Sequence, residues 1–159
     1  MKINEIEPND LLIDLWLDDL NNDGISEIFT SYRHNYSSWK LVQYDQNGDV
    51  ISIKNEDLQQ EYNYFHKATV FNMDGSTYLV VAYNHLLYIN YPYSWVNYSH
   101  LKIYDWDTFA LVDSISYEIG YYCEGNGTTF STKFIKPIEI QNEQYIFLGQ
   151  VLKTKNKYS

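Results

Sequence analysis

The stretches LWLDDLNNDGISEIFTSY (residues 15–32) and ATVFNMDGSTYLVVAY (residues 68–83) are the parts of the sequence that decide the fold class. Each consists of an apolar segment, a turn centred on Asp-Gly, and a second apolar segment. Asp-Gly pairs tolerate the positive φ angles that tight turns between antiparallel strands require. Each stretch is therefore predicted to be a β-hairpin.

The similarity between the two stretches continues along the chain. The first leads to WKLVQYDQNGDVISI (39–53) and the second to HLKIYDWDTFALVDSI (100–115), so that in both a third strand ends in Tyr-Asp before a short turn and a fourth strand. A shorter copy, FIKPIEIQNEQYIFLGQVL (134–152), supplies two more strands. This pattern predicts a single all-β domain over residues 1–159, built from four-stranded antiparallel meanders with repeat units at about 10–54, 66–117 and 133–152.

Three segments fit the repeats less simply. The polar segment KNEDLQQEYNYFH (54–66) is predicted to be a connection or a short helix. The segment NHLLYINYPYSWVNYS (84–99) is predicted to be an insertion within the second unit. Residues 10–20 leave two interpretations open, because their apolar residues fit both the alternation of a strand and the period of a helix. The alternation of Ile13, Leu15 and Leu17 with polar neighbours favours the strand.

Composition excludes several classes of function. Aromatic residues make up 18% of the chain, with 17 tyrosines, and they favour strands. The formal net charge of -10 opposes binding to nucleic acid or to anionic membranes, because phosphate backbones are bound by neutralising them with Lys and Arg. No apolar run approaches the roughly 20 residues that membrane insertion needs. Cys123 is the single cysteine, so no intrachain disulfide can form and the fold must rely on packing or on a metal.

The segment DLNNDGISE (19–27) has the pattern of a calcium loop. Oxygen-bearing side chains occupy positions 1, 3, 5 and 9, a glycine occupies position 6, and the carbonyl at position 7 would add a fifth ligand. The expected Ca²⁺ ligands are Asp19, Asn21, Asp23, Ile25 and Glu27. An EF-hand would require a glutamate at position 12, which is Thr30 here. The alternative is an Asx-rich turn without a metal.

These residues carry a resemblance to a known family. DLNNDGISEIF (19–29) resembles the calcium loop of FG-GAP and VCBS repeats, the β-propeller blades of integrin α-subunits and many bacterial surface proteins. The resemblance implies that the loop joins the first two strands of a blade and that one calcium site is present, since FNMDG (71–75) lacks most of the ligands. The chain offers about two and a half blades, whereas closed propellers use about four to eight. Either the sheets form an open stack, or a homo-oligomer completes the ring.

The segment 84–99 carries a concentration of aromatic residues that can contact a partner. These residues are Tyr88, Tyr91, Tyr93, Trp95 and Tyr98. Such rings dominate protein interfaces and can stack on sugars, although they can equally cover neighbouring strands. The four histidines show no metal-ligand spacing, so none is singled out.

The sequence therefore predicts a calcium-binding, β-propeller-like interaction module, without enzymatic activity, that binds a protein partner through aromatic loops. The alternatives are a lectin-like oligomer that binds carbohydrate, and a hydrolase or lyase on a propeller scaffold. The acidic N-terminal segment MKINEIEPND predicts a cytosolic chain, whereas the family resemblance implies an extracellular one.

Overall fold

The computed structural model describes residues 10–34, 38–58, 63–73, 75–90, 94–123, 126–141 and 143–155, and these ranges form ten β-strands. The first sheet contains β1 (Asp10–Asp18), β2 (Glu27–His34), β3 (Ser38–Tyr44) and β4 (Val50–Asp57) in sequence order. The second contains β5 (Asn63–Met73), β6 (Ser76–Asn90), β7 (Ser94–Asp105), β8 (Leu111–Cys123), β9 (Asn126–Ile140) and β10 (Glu143–Lys155), also in sequence order. All pairs are antiparallel. The predicted all-β fold of antiparallel meanders is confirmed.

The first sheet shows why residues 10–20 form a strand rather than a helix. β1 runs antiparallel to β2, with Trp16 opposite Phe29. The two rings stack with their centroids 5.4 Å apart in the core. Leu15 and Leu17 lie on the face of this sheet opposite to Trp16, and a helix would not place them there. Tertiary packing therefore decides between the strand and the helix that the sequence left open.

The hairpin turns follow the predicted chemistry. Gly48 and Gly75 have φ angles of 88° and 78°, in the left-handed region that glycine adopts without a steric penalty. At the β5–β6 turn Met73 pairs with Ser76, which leaves a two-residue loop at 74–75. At the β3–β4 turn the Asp45 carboxylate accepts hydrogen bonds from the amides of Asn47 and Asp49, at 2.9 and 2.8 Å.

Two predictions about connecting segments are corrected by the structure. The connection predicted over residues 54–66 is shorter, because β4 continues to Asp57 and β5 begins at Asn63. Residues 84–90 and 94–99 do not form an insertion, because they extend β6 and β7, which stay paired from Asn84 opposite Ser99 as far as Asn90 opposite Ser94. Polar residues that resembled a loop in the sequence are buried in this hairpin against the β9–β10 hairpin, where Gln150 Nε2 donates a hydrogen bond to Ser99 Oγ at 3.1 Å.

β6 separates two apolar cores. On one face Leu79, Val81 and Tyr83 pack against residues of the first sheet. The partners contributed by that sheet are Phe29, Trp39 and Leu41. This first core therefore joins the first sheet to β5–β7.

The opposite face of β6 forms the second core. Val80 and Ala82 pack with Leu101 of β7 and with Ile135 of β9. β9 meets β8 in the ladder at only two residue pairs, at residues 122–123 and 126–127, and then crosses the face of the sheet towards β5. The molecule is thus layered, with the first sheet on one side of β5–β8 and the β9–β10 hairpin on the other.

This layering predicts a large effect on stability for one isoleucine of β9 and a small effect for another. Ile135 is buried in the second core, whereas Ile140 is 51% exposed. Replacing Ile135 with Ala is expected to lower the free energy of unfolding by about 2–4 kcal/mol, because it leaves a cavity between the hairpin and the sheet. Ile140→Ala is expected to change it by less than about 0.5 kcal/mol. Urea denaturation measures both, and equal effects would contradict the packing of this hairpin on the sheet.

Candidate functional site

The loop between β1 and β2 is closed by its own side chains. Asp19 accepts hydrogen bonds from the amides of Asp23 and Gly24, at 3.1 and 2.8 Å, and Asn21 Oδ1 accepts a second bond from the Asp23 amide at 3.0 Å. Asn22 and Gly24 have φ angles of 56° and 85°, which turn the chain sharply. The loop therefore brings Asp19, Asn21 and Asp23 onto one turn, as the sequence predicts.

This geometry is compatible with a cation at the loop. Asp19 Oδ1 and Asn21 Oδ1 both accept a hydrogen bond from the Asp23 amide. The distance between these two oxygens is therefore at most the sum of the two hydrogen-bond lengths. A carboxylate has about four lone-pair sites, so the amide bonds leave lone pairs for a metal. Because Ca²⁺ takes oxygens at about 2.3–2.6 Å, such a pair can share one ion after small side-chain rotations.

Glu27 and Ile25 are the other two expected ligands, and their contacts differ from those of Asp19, Asn21 and Asp23. Glu27 is only 8% exposed at the start of β2, and its Oε2 accepts a hydrogen bond from the Leu20 amide at 3.2 Å. Ile25 donates its amide to Asp23 Oδ1 at 2.8 Å. Within the described ranges, no three His, Cys, Asp or Glu side chains are grouped as a metal site would require. A bound ion would therefore depend on Asn21 and on backbone oxygen as well as on carboxylates.

The aromatic residues of 84–99 lie on a hairpin. Tyr88 pairs with Trp95 across β6 and β7, and Tyr98 pairs with His85. Tyr98 is partly buried, with its ring centroid 6.4 Å from that of His100. Tyr91 and Tyr93 lie outside the described residues. The structure thus brings the backbone positions of Tyr88 and Trp95 together, while Tyr98 belongs to a different cluster.

That cluster, which we call the inner polar cluster, was not found from the sequence. Glu56 of β4 accepts hydrogen bonds from Lys102 Nζ and from the Tyr104 hydroxyl, both at 2.6 Å. These contacts tie the edge of the first sheet to β7. Burial, together with the hydrogen bond to Glu56, raises the pKa of Tyr104, so its hydroxyl remains a donor at neutral pH.

Two histidines extend the inner polar cluster along the β6–β7 hairpin. His100 stacks on Tyr83 with ring centroids 4.8 Å apart, and His85 meets His100 edge to face at 6.1 Å. Burial lowers the pKa of His85; burial, His85 and Lys102 together lower the pKa of His100. Both imidazoles are therefore neutral near pH 7. Only the register of the hairpin brings these histidines together, so no local sequence signal could have found them.

No family model, no curated protein and no solved structure matches this chain. Among the described residues there is no helix long and apolar enough to cross a membrane.

The inner polar cluster predicts a loss of stability in mild acid. Because the folded-state pKa values of His85 and His100 lie below the ordinary value of 6.5, the unfolded chain binds protons first as the pH falls below 6.5. Their contribution to stability is present above that pH and is lost below it. The urea midpoint is therefore expected to fall between about pH 7.5 and 5.5.

His100→Phe keeps the stacked ring but removes the titration. This variant should lose less stability than the parent protein over the same pH interval, and an unchanged pH dependence would contradict the role given to His100.

Proposed function

We propose that this chain is a calcium-stabilised interaction module that docks a second copy of itself through the outer face of its first sheet. The observation that carries the proposal is that this sheet is apolar on both faces, whereas only its inner face contributes to the first core. Sheets with two apolar faces are those that are covered on both sides.

The outer face includes two apolar rows, in each of which the residues lie directly opposite one another across the four strands, and further rows that carry Lys40 and Asp57. One row is Leu15, Thr30, Val42 and Ile53, and the other is Leu17, Ile28, Tyr44 and Val50. Residues opposite one another in a ladder share a face. The middle strands are shielded, with Val42 and Tyr44 at 0% and 2% exposure, but Leu15 and Leu17 on β1 are 52% and 64% exposed. Ile53 on β4 is 43% exposed.

The exposed apolar residues of this face, on β1 and β4, differ from scattered exposed leucines because they border the buried apolar residues of the middle strands. Single exposed apolar side chains are ordinary, whereas contiguous patches mark interaction sites. Neither row contains a charged residue. These two rows can therefore be covered without burying an unpaired charge.

The exposure of the face limits what a second copy can bury. Val42 and Tyr44 are already buried, so the most accessible apolar side chains of the two rows are those on the edge strands β1 and β4. The interface is therefore small, and the dimer is expected to be weak and transient. The net charge of -10 on each copy adds repulsion that salt screens.

Calcium would act on the same surface through the β1–β2 hairpin. β1 is an edge strand that contributes the most exposed leucines, and the 19–27 loop is its connection to β2. An ion held by Asp19, Asn21, Asp23, the Ile25 carbonyl and Glu27 would fix this hairpin and neutralise part of its charge. The resemblance of the loop to those of FG-GAP and VCBS propeller blades supports this structural role, and a propeller-like stack of sheets is part of the proposal.

A second candidate is carbohydrate binding through the β6–β7 hairpin. It is favoured by the pairing of Tyr88 with Trp95, which sets two aromatic residues side by side on adjacent strands. Retention on a glycan array that Trp95→Ala abolishes would support this candidate.

Calcium is expected to raise the thermal stability of the chain. Ca²⁺ at about 100 times its dissociation constant adds about 2.7 kcal/mol, which corresponds to roughly 5–10 °C for a domain of this size. Asp23→Ala should abolish the shift, whereas Asp107→Ala, which removes an exposed charge from another turn, should preserve it. Differential scanning calorimetry in Ca²⁺, in Mg²⁺ and in EDTA measures these shifts. Equal midpoints in Ca²⁺ and EDTA would contradict the calcium site.

Self-association is expected to depend on Leu17. Sedimentation equilibrium at about 100 μM protein should detect dimer, increasing with salt as the acidic surfaces are screened. Leu17→Gln should shift the chain to monomer, whereas Ile115→Gln, at an apolar residue of β8 that is 48% exposed, should leave the dimer intact. A monomeric parent protein at every salt concentration would contradict the proposed interface.

A further inference from the structure

The β9–β10 hairpin carries a second exposed apolar patch. Ile135, Ile146 and Leu148 pack in the second core. Alternate residues of a strand point to opposite faces, so the residues between them face away from the sheet, with Tyr145 directly opposite Ile138. This patch, which we call the hairpin face, consists of Ile138, Ile140, Tyr145 and Phe147, at 36%, 51%, 44% and 52% exposure.

The hairpin differs in charge from the rest of the protein. Residues 126–155, which contain β9 and β10, have four lysines and two glutamates, a net charge of +2 in a chain of -10. Lys136 is exposed at one end of the hairpin face, directly opposite Phe147. Glu143 lies at the other end and accepts a hydrogen bond from the Tyr145 hydroxyl at 2.6 Å.

The first sheet has the opposite charge. Residues 10–57 contain ten acidic and three basic residues, a net charge of -7. The apolar row that begins at Leu17 on β1 and ends at Val50 on β4 borders the 19–27 loop and the 45–49 turn. These two turns carry five carboxylates and no Lys or Arg, so they stay net negative even with one bound Ca²⁺.

We propose that the outer face of the first sheet docks on the hairpin face of a second copy, head to tail. The inference rests on the proposed function and names the surface that the first sheet takes on its partner. Apolar side chains cover apolar side chains, and Lys136 approaches the acidic turns beyond Leu17.

Charge favours this arrangement over the two symmetric ones. Two first sheets face to face would join surfaces of charge -7, and two hairpin faces would join surfaces of charge +2. Like charges brought together at an interface oppose association. Head-to-tail docking is the arrangement in which the local charges attract, while the net charge of -10 on each copy still repels at long range.

The layering of the molecule adds a consequence. The two surfaces lie on opposite sides of β5–β8, so a copy that docks through one of them keeps the other accessible. A contact between unlike surfaces does not close on itself in a dimer. The weight-average mass is therefore expected to rise past that of a dimer as the protein concentration increases, whereas a contact between two first sheets would stop at the dimer.

Complementation between two variants tests the proposal. Leu17→Gln impairs the first-sheet surface and keeps the hairpin face, and Phe147→Gln does the reverse. Each variant alone should self-associate at least about tenfold more weakly than the parent protein. An equimolar mixture should form a dimer with nearly the parent affinity, because each variant supplies the surface that the other lacks. Sedimentation equilibrium measures all three samples.

NMR assigns the two surfaces in the mixture. With ¹⁵N only in Leu17→Gln, perturbations are expected at residues 136–147. With ¹⁵N only in Phe147→Gln, they are expected at residues 15–17 and 50–53. Lys136→Glu in the Leu17→Gln chain should weaken the mixed dimer more than Lys136→Gln does, because it replaces attraction to the acidic turns with repulsion. Ile115→Gln, at a residue of β8 that is 48% exposed, should associate like the parent protein.

The outcomes separate this contact from the interface that it completes. A Phe147→Gln variant that self-associates like the parent protein, or a mixture that stays monomeric, would overturn the head-to-tail contact, while the loss of association in Leu17→Gln would still support the first-sheet interface. A parent protein that is monomeric at every concentration would contradict both. If Phe147→Gln does not fold, Ile140→Gln takes its place in the mixture, since truncation of Ile140 is expected to leave stability nearly unchanged.

Discussion

The burial of β6 on both of its faces is the constraint on which the rest of the structure depends. Leu79 and Val81 enter one core, Val80 and Ala82 enter the other, and all four are at most 1% exposed. Each larger side chain contributes about 1.5–3 kcal/mol when it leaves water, and alternate residues of a strand point to opposite faces. A strand of this kind needs a layer on each side, which the first sheet and the β9–β10 hairpin supply.

The features of functional interest follow from that layering. Because the inner face of the first sheet covers β6, its outer face and the 19–27 loop are left at one side of the molecule. Because β9 crosses towards β5, the edges of separate layers meet around Arg33 and Lys67 and form a cleft. The extension of β6 and β7 beyond the first sheet aligns His85 with His100. The proposed interface, the 19–27 loop and the cleft are therefore distinct surfaces that one packing arrangement creates.

Local chemistry made much of the fold predictable from the sequence. The positive φ angles of Gly24, Gly48 and Gly75 are the conformations that the Asp-Gly and Asn-Gly turns indicate, and the alternation in β1 outweighs its helical spacing. The length of the β6–β7 hairpin could not be predicted in the same way. Asn97 and Ser99 are polar but buried, and the hydrogen-bond partner of Ser99 is Gln150 of β10, which lies far along the chain.

The candidate sites also differ in whether local sequence or tertiary packing forms them. The 19–27 loop is a local motif, so the close approach of Asp19, Asn21 and Asp23 could be predicted from spacing alone. The inner polar cluster and the cleft combine residues of different strands and sheets, such as Glu56 with Lys102 and Asp14 with Lys67, which only register and packing bring together.

Native-state hydrogen exchange of β6 tests the central claim most directly. If both faces of β6 are covered, the amides of residues 79–83 should exchange only through global unfolding, with the highest protection in the chain. Amides of β8, which meets β9 at two residue pairs near its end, should exchange through smaller openings. Protection of residues 79–83 no greater than that of β8 would contradict the layered arrangement and, with it, the surfaces derived from it.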